Sequence, residues 1–182
     1  MLTPQRVEQG RFYIRREIGI DAGHRVTNHA SKCRNFHGHR YTVQALYSGE
    51  LGDAAAGSSE GMAGGLDFGF VKEHMLREID ARCDHAMILW ALDPMLRTFI
   101  GDRGMEVLAA MGTDRDDGVI VTGDMGKVYV VDDVPTAENL ARHWYRRLDR
   151  ALSTLPDAYP YHPRLEAVSV YETPNNMVIY YG

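Results

Sequence analysis

Three side chains that can ligate a metal or carry a proton lie close together in the stretch CRNFHGHRY. They are Cys33, His37 and His39. Because side chains alternate along a strand, two histidines separated by one residue point to the same face and can bind one ion. His24, in IDAGHR, follows another strand pattern and is a candidate third ligand. Three neutral imidazoles with a fourth position open for water or substrate are typical of a catalytic Zn²⁺ site.

These residues also have simpler interpretations. His37 and His39 are compatible with turn histidines that bond only to backbone groups. Cys33 is a fourth zinc ligand, a catalytic thiol, or a small apolar side chain that fills space, which is the commonest fate of a free cysteine. A fourth protein ligand would close the site and make it structural, whereas an open metal position would make it catalytic. The remaining histidines with no such context are expected on the surface or in the core; they are His29, His74, His143 and His162.

Two acidic positions are candidates to complete such a site. Asp84 precedes His85 in ARCDHAMIL, where a carboxylate can orient an imidazole and raise its basicity. The alternative is a histidine that only meets the dipole at a helix C-terminus. Glu172 ends a strand pattern on its apolar face, where an unpaired carboxylate is costly to bury. Adjacent N–H donors of an aminopyrimidinone ring would pair with it; otherwise this strand end faces water.

Alternating apolar residues predict four β-strands, because successive side chains of a strand face opposite sides of a sheet. The strands are residues 11–21, 40–47, 165–172 and 177–181. The turn sequence Pro174-Asn175-Asn176 predicts a hairpin between the last two.

Apolar residues repeated every four positions predict two helices between the strand pairs. The first covers residues 70–83, with Asp67 as its expected N-cap, and the second covers residues 137–152 after the start signal Pro135-Thr136. Residues 52–65 are small and without periodicity, which predicts a mobile loop.

Length and composition fit one domain, residues 1–182, with an insertion at about 91–133. The insertion is expected to hold a short helix around 94–111 and two β-rich runs that form a hairpin at Asp124-Met125-Gly126. The net charge of −5 argues against a general nucleic-acid binder. Two cysteines are too few for a disulfide framework, and no apolar run approaches the ~18 residues of a membrane span. A cytoplasmic protein that binds neither nucleic acid nor membrane is therefore expected.

Taken together, the motifs resemble the 6-pyruvoyltetrahydropterin synthase superfamily, and most closely its 6-carboxytetrahydropterin synthase branch. The stretches that carry the resemblance occur in the family's order over most of the chain: IDAGHR, CRNFHGHRY, GLDFGFVK, CDHAMIL, VPTAENLA and VSVYETPNNMVIYY. The spacer Arg34-Asn35-Phe36 before HGH has the length typical of that branch. It lacks the glutamate expected of the branch that feeds folate synthesis.

The resemblance implies an α+β tunnelling fold: an antiparallel four-stranded sheet with two helices on one face, inserted between the second and third strands. It implies trimers joined through continuous sheets, and two trimers stacked into a homohexamer with active sites at subunit borders. The family's functional positions carry over as the zinc ligands His24, His37 and His39, the catalytic residues Cys33, Asp84 and His85, and the substrate-binding residues Glu172 and Glu138. For Glu138 a role at the helix start comes first.

The implied reaction converts 7,8-dihydroneopterin triphosphate to 6-carboxy-5,6,7,8-tetrahydropterin, with loss of triphosphate and acetaldehyde, for queuosine and other 7-deazaguanine synthesis. One alternative stops after triphosphate elimination and gives 6-pyruvoyltetrahydropterin. Another is a catalytically idle pterin- or metal-binding protein. Basic residues near the motif are candidate contacts for the triphosphate; they are Arg25, Lys32 and Arg34.

Overall fold

The computed structural model describes residues 8–50, 68–111, 117–154 and 163–182. The α+β class expected from the sequence is confirmed, because one mixed β-sheet is combined with α-helices. The expected loop at 52–65, the expected N-cap Asp67 and His162 lie outside the described residues. No helix of the described ranges is both long and apolar enough to cross a membrane.

All four strands predicted from the alternating pattern are present and pair antiparallel in a continuous block. β1 (Phe12–His24) pairs with β2 (His37–Gly49), and β2 also pairs with β6 (Arg164–Thr173). The predicted hairpin joins β6 to β7 (Asn176–Tyr181). The long β1–β2 pairing fixes which side chains of the two strands are neighbours, and this decides the geometry of the site below.

The prediction of a four-stranded sheet is wrong in extent, because the described sheet has seven strands in the order β4-β5-β3-β1-β2-β6-β7. β3 (Met87–Trp90) pairs parallel with β1 and with β5 (Gly126–Val131), and β5 forms the predicted hairpin with β4 (Val119–Gly123). β3 has only four residues, and its apolar run MILW has no alternation that would distinguish a strand. β3, which precedes the predicted insertion, and the insertion's strands β4 and β5 together extend the sheet on the β1 side.

The two predicted helices cover one face of the sheet. α4 (Ala137–Ser153) begins at the N-cap Thr136, whose hydroxyl accepts a hydrogen bond from the Asn139 N–H at 3.3 Å. The other helical segment starts as α1 (Phe68–Met75), continues through a π-helical turn (Leu76–Asp80) and ends as α2 (Ala81–Cys83). A repeat of four drifts around a helix of 3.6 residues per turn. The wider π turn offsets that drift, and all the repeat residues stay buried: Val71, Met75, Ile79 and Cys83.

The predicted insertion has an apolar core of its own beside the main one. Its helix α3 (Leu96–Ala110) packs on β4 and β5, and it bends at Gly101, which has a left-handed φ of 67°. The buried residues of this second cluster are Leu89, Leu96, Ile100, Leu108, Val119, Val121, Val128 and Val130. Packing against a separate cluster gives α3 a fixed position, so side chains on α3 can serve as anchors for neighbouring loops.

Candidate functional site

Pairing of β1 with β2 brings the three predicted metal ligands together. His24, the last residue of β1, lies opposite His37, the first residue of β2, and His39 lies opposite Ala22. One ring nitrogen from each of the three imidazoles forms a group in which all the atoms lie within 4.8 Å of one another. His24 is buried, and His37 and His39 are partly exposed. A metal ion can reach all three nitrogens from one point.

Hydrogen bonds to backbone carbonyls fix two of these rings. His24 donates its Nδ1–H to the Pro135 carbonyl at 2.7 Å, and His37 donates its Nδ1–H to the Asn35 carbonyl at 2.8 Å. When a ring that donates from Nδ1 binds a metal, its Nε2 carries a lone pair and no proton. Those two Nε2 atoms face each other at 3.1 Å. Two lone pairs at this distance repel each other unless a cation lies between them, so the residues fit a bound metal ion.

The third ring supports the same conclusion. The Nε2 atom of His39 is buried and has no hydrogen-bond partner among the described residues. Buried polar atoms are rarely left without a partner, and a role as an ion ligand explains such an exception. Bonds from the other ring nitrogen to a carbonyl, as in His24 and His37, are the usual way in which a metal-binding histidine is oriented.

The environment of the group favours neutral imidazoles. Burial lowers the pKa of His24 to about 4; the bond to Pro135 opposes this shift, and the nearby rings of His37 and His39 reinforce it. Burial also lowers the pKa of His39, against the opposing effect of the Glu172 carboxylate. A metal binds only the unprotonated nitrogen. The protein therefore keeps these two ligands ready for a cation near neutral pH.

A large cavity of about 1050 Å³ opens beside the histidines. Cys33, Glu138 and Glu172 all line it, as their predicted roles require. The Glu172 carboxylate lies 3.9 Å from the Nε2 atom of His24 and is about three-quarters buried. Glu138 is in the first turn of α4, where a negative charge is favourable. A substrate in this cavity can contact the ion site, a thiol and a largely buried carboxylate at once.

Cys33 lies in the loop between β1 and β2, in a short helical turn (Lys32–Arg34). The cysteine is free and partly exposed. Its sulfur is not in the group of potential ligand atoms formed by the three histidines among the described residues. Of the three interpretations left open by the sequence, the position favours a thiol facing the cavity over a fourth ligand or a buried filler.

Asp84 and His85 are oriented as expected but are not brought to the cavity. Asp84 accepts a hydrogen bond from the Asp21 N–H at 2.8 Å and one from the His85 ring at 2.7 Å. The first of these bonds is the main reason that the pKa of Asp84 is lowered. His85 has a left-handed φ of 55°, a side chain that is 78% exposed, and no place among the residues that line the cavity. Its imidazole is therefore largely exposed and does not form part of the cavity wall.

The basic residues near the motif differ in their availability. Lys32 lines the cavity. Arg25 instead forms an ion pair with the buried Asp93, with 3.1 Å between Nε and Oδ2, and lies over the Phe36 ring at 5.0 Å. Arg34 is exposed and is not among the cavity-lining residues. Of the three, Lys32 alone is placed to meet a substrate in this cavity.

Sequence reasoning missed several groups in the site. The Pro135 carbonyl, which fixes the His24 ring, is a backbone atom and has no signature in residue type. Asn175 and Asn176 line the cavity, although the sequence marked them only as turn residues. His29, expected on the surface or in the core, also lines it. Its position in the same loop as Cys33 was the available signal.

Residues 13–182 match the model of the family described as 6-pyruvoyl tetrahydropterin synthase. The chain belongs to this family. The match covers nearly all the described elements, from β1 to β7.

Curated relatives of this family that resemble the chain carry the name 6-carboxy-5,6,7,8-tetrahydropterin synthase. The protein of Rickettsia bellii is 30% identical over 164 residues, which are 90% of this chain and 95% of the relative. The protein of Haemophilus influenzae is 28% identical over 171 residues, which are 93% of this chain and 98% of the relative.

Solved structures agree on the fold. An uncharacterised protein of Wolinella succinogenes superposes with a TM-score of 0.67 at 21% identity, over 94% of this chain and 98% of the other. The 6-pyruvoyl tetrahydropterin synthase of Caenorhabditis elegans gives a TM-score of 0.55 at 22% identity, over 94% of this chain and 96% of the other. The chain therefore shares the fold of the family as well as its motifs.

Proposed function

We propose that the protein is a 6-carboxy-5,6,7,8-tetrahydropterin synthase, a lyase that acts on 7,8-dihydroneopterin triphosphate and releases triphosphate and acetaldehyde. The observation that carries this proposal is the cavity in which three imidazole nitrogens meet beside Cys33 and Glu172. It occurs in a chain that aligns over about nine-tenths of its length with relatives bearing that name. The pathway served would be the synthesis of queuosine or another 7-deazaguanine.

His24, His37 and His39 are proposed to hold a zinc ion. Three neutral imidazoles suit zinc and leave one position for substrate, and the paired Nε2 atoms and the orphaned His39 nitrogen support a cation there. When bound, zinc would supply Lewis-acid polarisation of the substrate's side-chain oxygen atoms. The carbonyls of Pro135 and Asn35 hold two of the rings in place for that purpose.

The other cavity residues have distinct proposed roles. Cys33, on its loop, removes a proton from the substrate side chain as a general base. Glu172 accepts hydrogen bonds from adjacent N–H groups of the pterin ring, which gives its largely buried carboxylate the partners that such a charge requires. Glu138 contributes to the pocket from the first turn of α4. Lys32 is the candidate contact for the triphosphate.

The Asp84–His85 pair is proposed to act in the cavity of a neighbouring subunit. Within one chain its imidazole is exposed and is not among the residues that line the cavity. An oriented carboxylate–imidazole pair is suited to proton transfer, yet the residues that the structure describes place it outside the cavity of its own chain. The homohexamer that the family resemblance implies, with sites at subunit borders, would bring it to a cavity. Light scattering of the purified protein tests that assembly.

A second candidate is 6-pyruvoyltetrahydropterin synthase activity on the same substrate. The family model and the Caenorhabditis elegans structure carry that name. Both reactions use an ion site, a proton-accepting thiol and a pterin anchor. They differ in whether a carbon–carbon bond of the side chain breaks after triphosphate leaves.

Product identification tests the proposal. The purified protein is incubated with 7,8-dihydroneopterin triphosphate, and products are identified by liquid chromatography and mass spectrometry, with acetaldehyde measured separately. Equal amounts of 6-carboxytetrahydropterin and acetaldehyde support the proposed reaction. A pyruvoyl product without acetaldehyde supports the second candidate. Binding of metal without either product identifies a non-catalytic homologue, and Cys33→Ala provides the blank for uncatalysed breakdown.

A further inference from the structure

The loop from Arg25 to Phe36 connects two of the candidate metal ligands. It begins directly after His24, ends directly before His37, and carries Cys33 between them. The loop closes on itself through a hydrogen bond from the Val26 N–H to the Cys33 carbonyl at 2.8 Å. Any shift of this loop therefore moves the thiol relative to the three histidines.

Asp93 of the predicted insertion binds two side chains in the first part of the loop. Its side chain is 1% exposed, so each of its contacts is protected from water. Oδ2 accepts a hydrogen bond from the Thr27 hydroxyl and forms the ion pair with Arg25. Oδ1 accepts a hydrogen bond from the Met95 N–H at 2.8 Å, immediately before α3. One buried carboxylate thus ties the loop to the start of that helix.

Phe99 of α3 packs against the other end of the loop. Its ring lies 4.9 Å from the ring of Phe36 at an interplanar angle of 54°, a tilted arrangement favourable for aromatic pairs. The Arg25 guanidinium lies over the same Phe36 ring at 5.0 Å, which adds a cation–π contact. Arg25 therefore contacts both Asp93 and the Phe36 ring, and so links the two sets of contacts.

Asp93 and Phe99, which make these contacts, are themselves held in place. Phe99 packs against the second apolar cluster, which includes the fully buried Leu89 and Val130 of the sheet. Leu96 also donates its N–H to the Asp93 carbonyl at 2.9 Å. The loop is thus held by groups whose own positions are set by the sheet. Catalytic groups keep their geometry when the residues around them are locked in this way.

We propose that Asp93 and Phe99 are positioning residues that hold the Cys33 loop over the three-histidine site. The predicted insertion then supports the loop that carries the thiol, in addition to extending the sheet. We call the contacts of Asp93 and Phe99 with this loop the brace. The part of the proposal that concerns turnover rests on the proposed function. The part that concerns the position of the thiol does not, because it can be measured without substrate.

Two substitutions remove the contact with Asp93 and the contact with Phe99 separately. Thr27→Val removes the hydroxyl that bonds to Asp93 and keeps the volume, and Phe99→Leu removes the ring that contacts Phe36. The matched control is Asp102→Asn, because Asp102 is on the same helix, is 80% exposed and pairs only with Arg97 among the contacts described. Phe99→Tyr keeps the ring and is the conservative variant expected to behave as the wild type.

Each variant is measured for kcat, KM, metal content, melting temperature and the rate of Cys33 alkylation by iodoacetamide. Thr27→Val and Phe99→Leu are expected to lower kcat by roughly tenfold or more, since small misplacements of reacting groups are costly. KM is expected to rise less than kcat falls, because the proposed pterin anchor Glu172 is on β6 and does not move with the loop, whereas Lys32 does. Cys33 alkylation is expected to become several-fold faster, with metal content unchanged and buried Cys83 unreactive.

The outcomes separate the two proposals. If the wild type turns over no pterin substrate, the proposed function fails, and the alkylation rates alone decide on the brace. If kcat and the alkylation rate of Thr27→Val and Phe99→Leu equal those of Asp102→Asn, the brace is overturned whatever the activity. A lowered melting temperature with unchanged thiol reactivity also overturns it, because that is the signature of a purely structural role. Should Phe99→Leu fail to fold, the alkylation rate and kcat of Thr27→Val decide between these outcomes.

Discussion

The three-histidine group and the Asp84–His85 pair lie beside the same end of β1, yet only the histidines are enclosed by their own chain. The group is set by the pairing of β1 with β2 and opens onto the cavity. The pair is anchored just as firmly, through bonds of Asp84 and of the His85 N–H to the Asp21 backbone, but its imidazole is exposed. This difference is the reason that the pair is proposed to act in the cavity of a neighbouring subunit.

The largest expected effect concerns the thiol, on the enclosed side of this comparison. Cys33→Ala should lower the rate of product formation by about 10²–10⁴, the usual contribution of a general base, while the bound metal per chain stays constant. Steady-state kinetics and elemental analysis measure both. Ser31→Ala, in the same exposed loop, is the control. Loss of metal together with the thiol would instead make Cys33 a fourth ligand.

The second prediction concerns the exposed side. His85→Gln should lower kcat by about 10²-fold or more as a proton-transfer group is lost, with metal binding unaffected. If the pair acts in the cavity of a neighbouring subunit, each active site contains Cys33 of one subunit and His85 of another. Cys33→Ala and His85→Gln then inactivate different halves of that shared site. Mixing the two inactive variants under conditions that exchange subunits should then restore activity, because some sites receive both native halves. A mixture as inactive as its parents would contradict the shared site.

A smaller effect is expected at the substrate anchor. Glu172→Gln should raise KM by roughly 10- to 150-fold, because a hydrogen bond to a charged group is worth about 1.5–3 kcal/mol and each 1.4 kcal/mol is about tenfold. Glu138→Gln, which removes a second carboxylate from the same cavity, should change KM less. Initial rates over a range of substrate concentrations measure the two values. Equal effects of the two substitutions would remove the special role of Glu172.

The smallest expected effect is on the free energy of unfolding. It comes from His74, a buried residue that belongs to neither region. Burial lowers the pKa of His74 to about 4, with Arg77 reinforcing the shift and Glu78 opposing it. Because the folded pKa lies below the unfolded value of about 6.5, the unfolded chain binds the proton first. The free energy of unfolding should therefore fall as the pH drops from about 6.5 to 4, by roughly 1–3 kcal/mol from this residue.

Urea denaturation at several pH values checks this dependence. His74→Gln keeps a polar partner for the Tyr47 hydroxyl, which lies 2.9 Å from His74 Nδ1, and removes the titrating group. The variant should lose part of the acid sensitivity between pH 6.5 and 4. An unchanged pH profile would show that His74 is not held neutral in the folded protein.

Local patterns were enough to predict most of the central fold. The alternation in β1, β2, β6 and β7, the turn before Asn176 and the N-cap Thr136 all act over a few residues, so the sequence displays them directly. The histidines followed from the same logic, because pairing of β1 with β2 is the simplest way to join consecutive strands. Their predicted convergence is what the structure contains.

Contacts between distant segments were not predictable in the same way. β3 is too short to show a period, and it becomes a strand only through its neighbours β1 and β5. Arg25 was a reasonable phosphate contact by position, but Asp93 lies far along the chain and nothing local indicates their ion pair. The exposure of His85 likewise depends on what surrounds it in three dimensions, which residue types do not encode.

The metal content of the purified protein tests the central claim most directly. After dialysis against metal-free buffer, elemental analysis of the wild type should find one zinc ion per chain, and His39→Ala should retain much less while keeping the wild-type circular dichroism spectrum. Removing the ion with a chelator should abolish turnover, and adding zinc should restore it. An active wild type without a bound divalent ion, or undiminished zinc in His39→Ala, would contradict the three-histidine metal site.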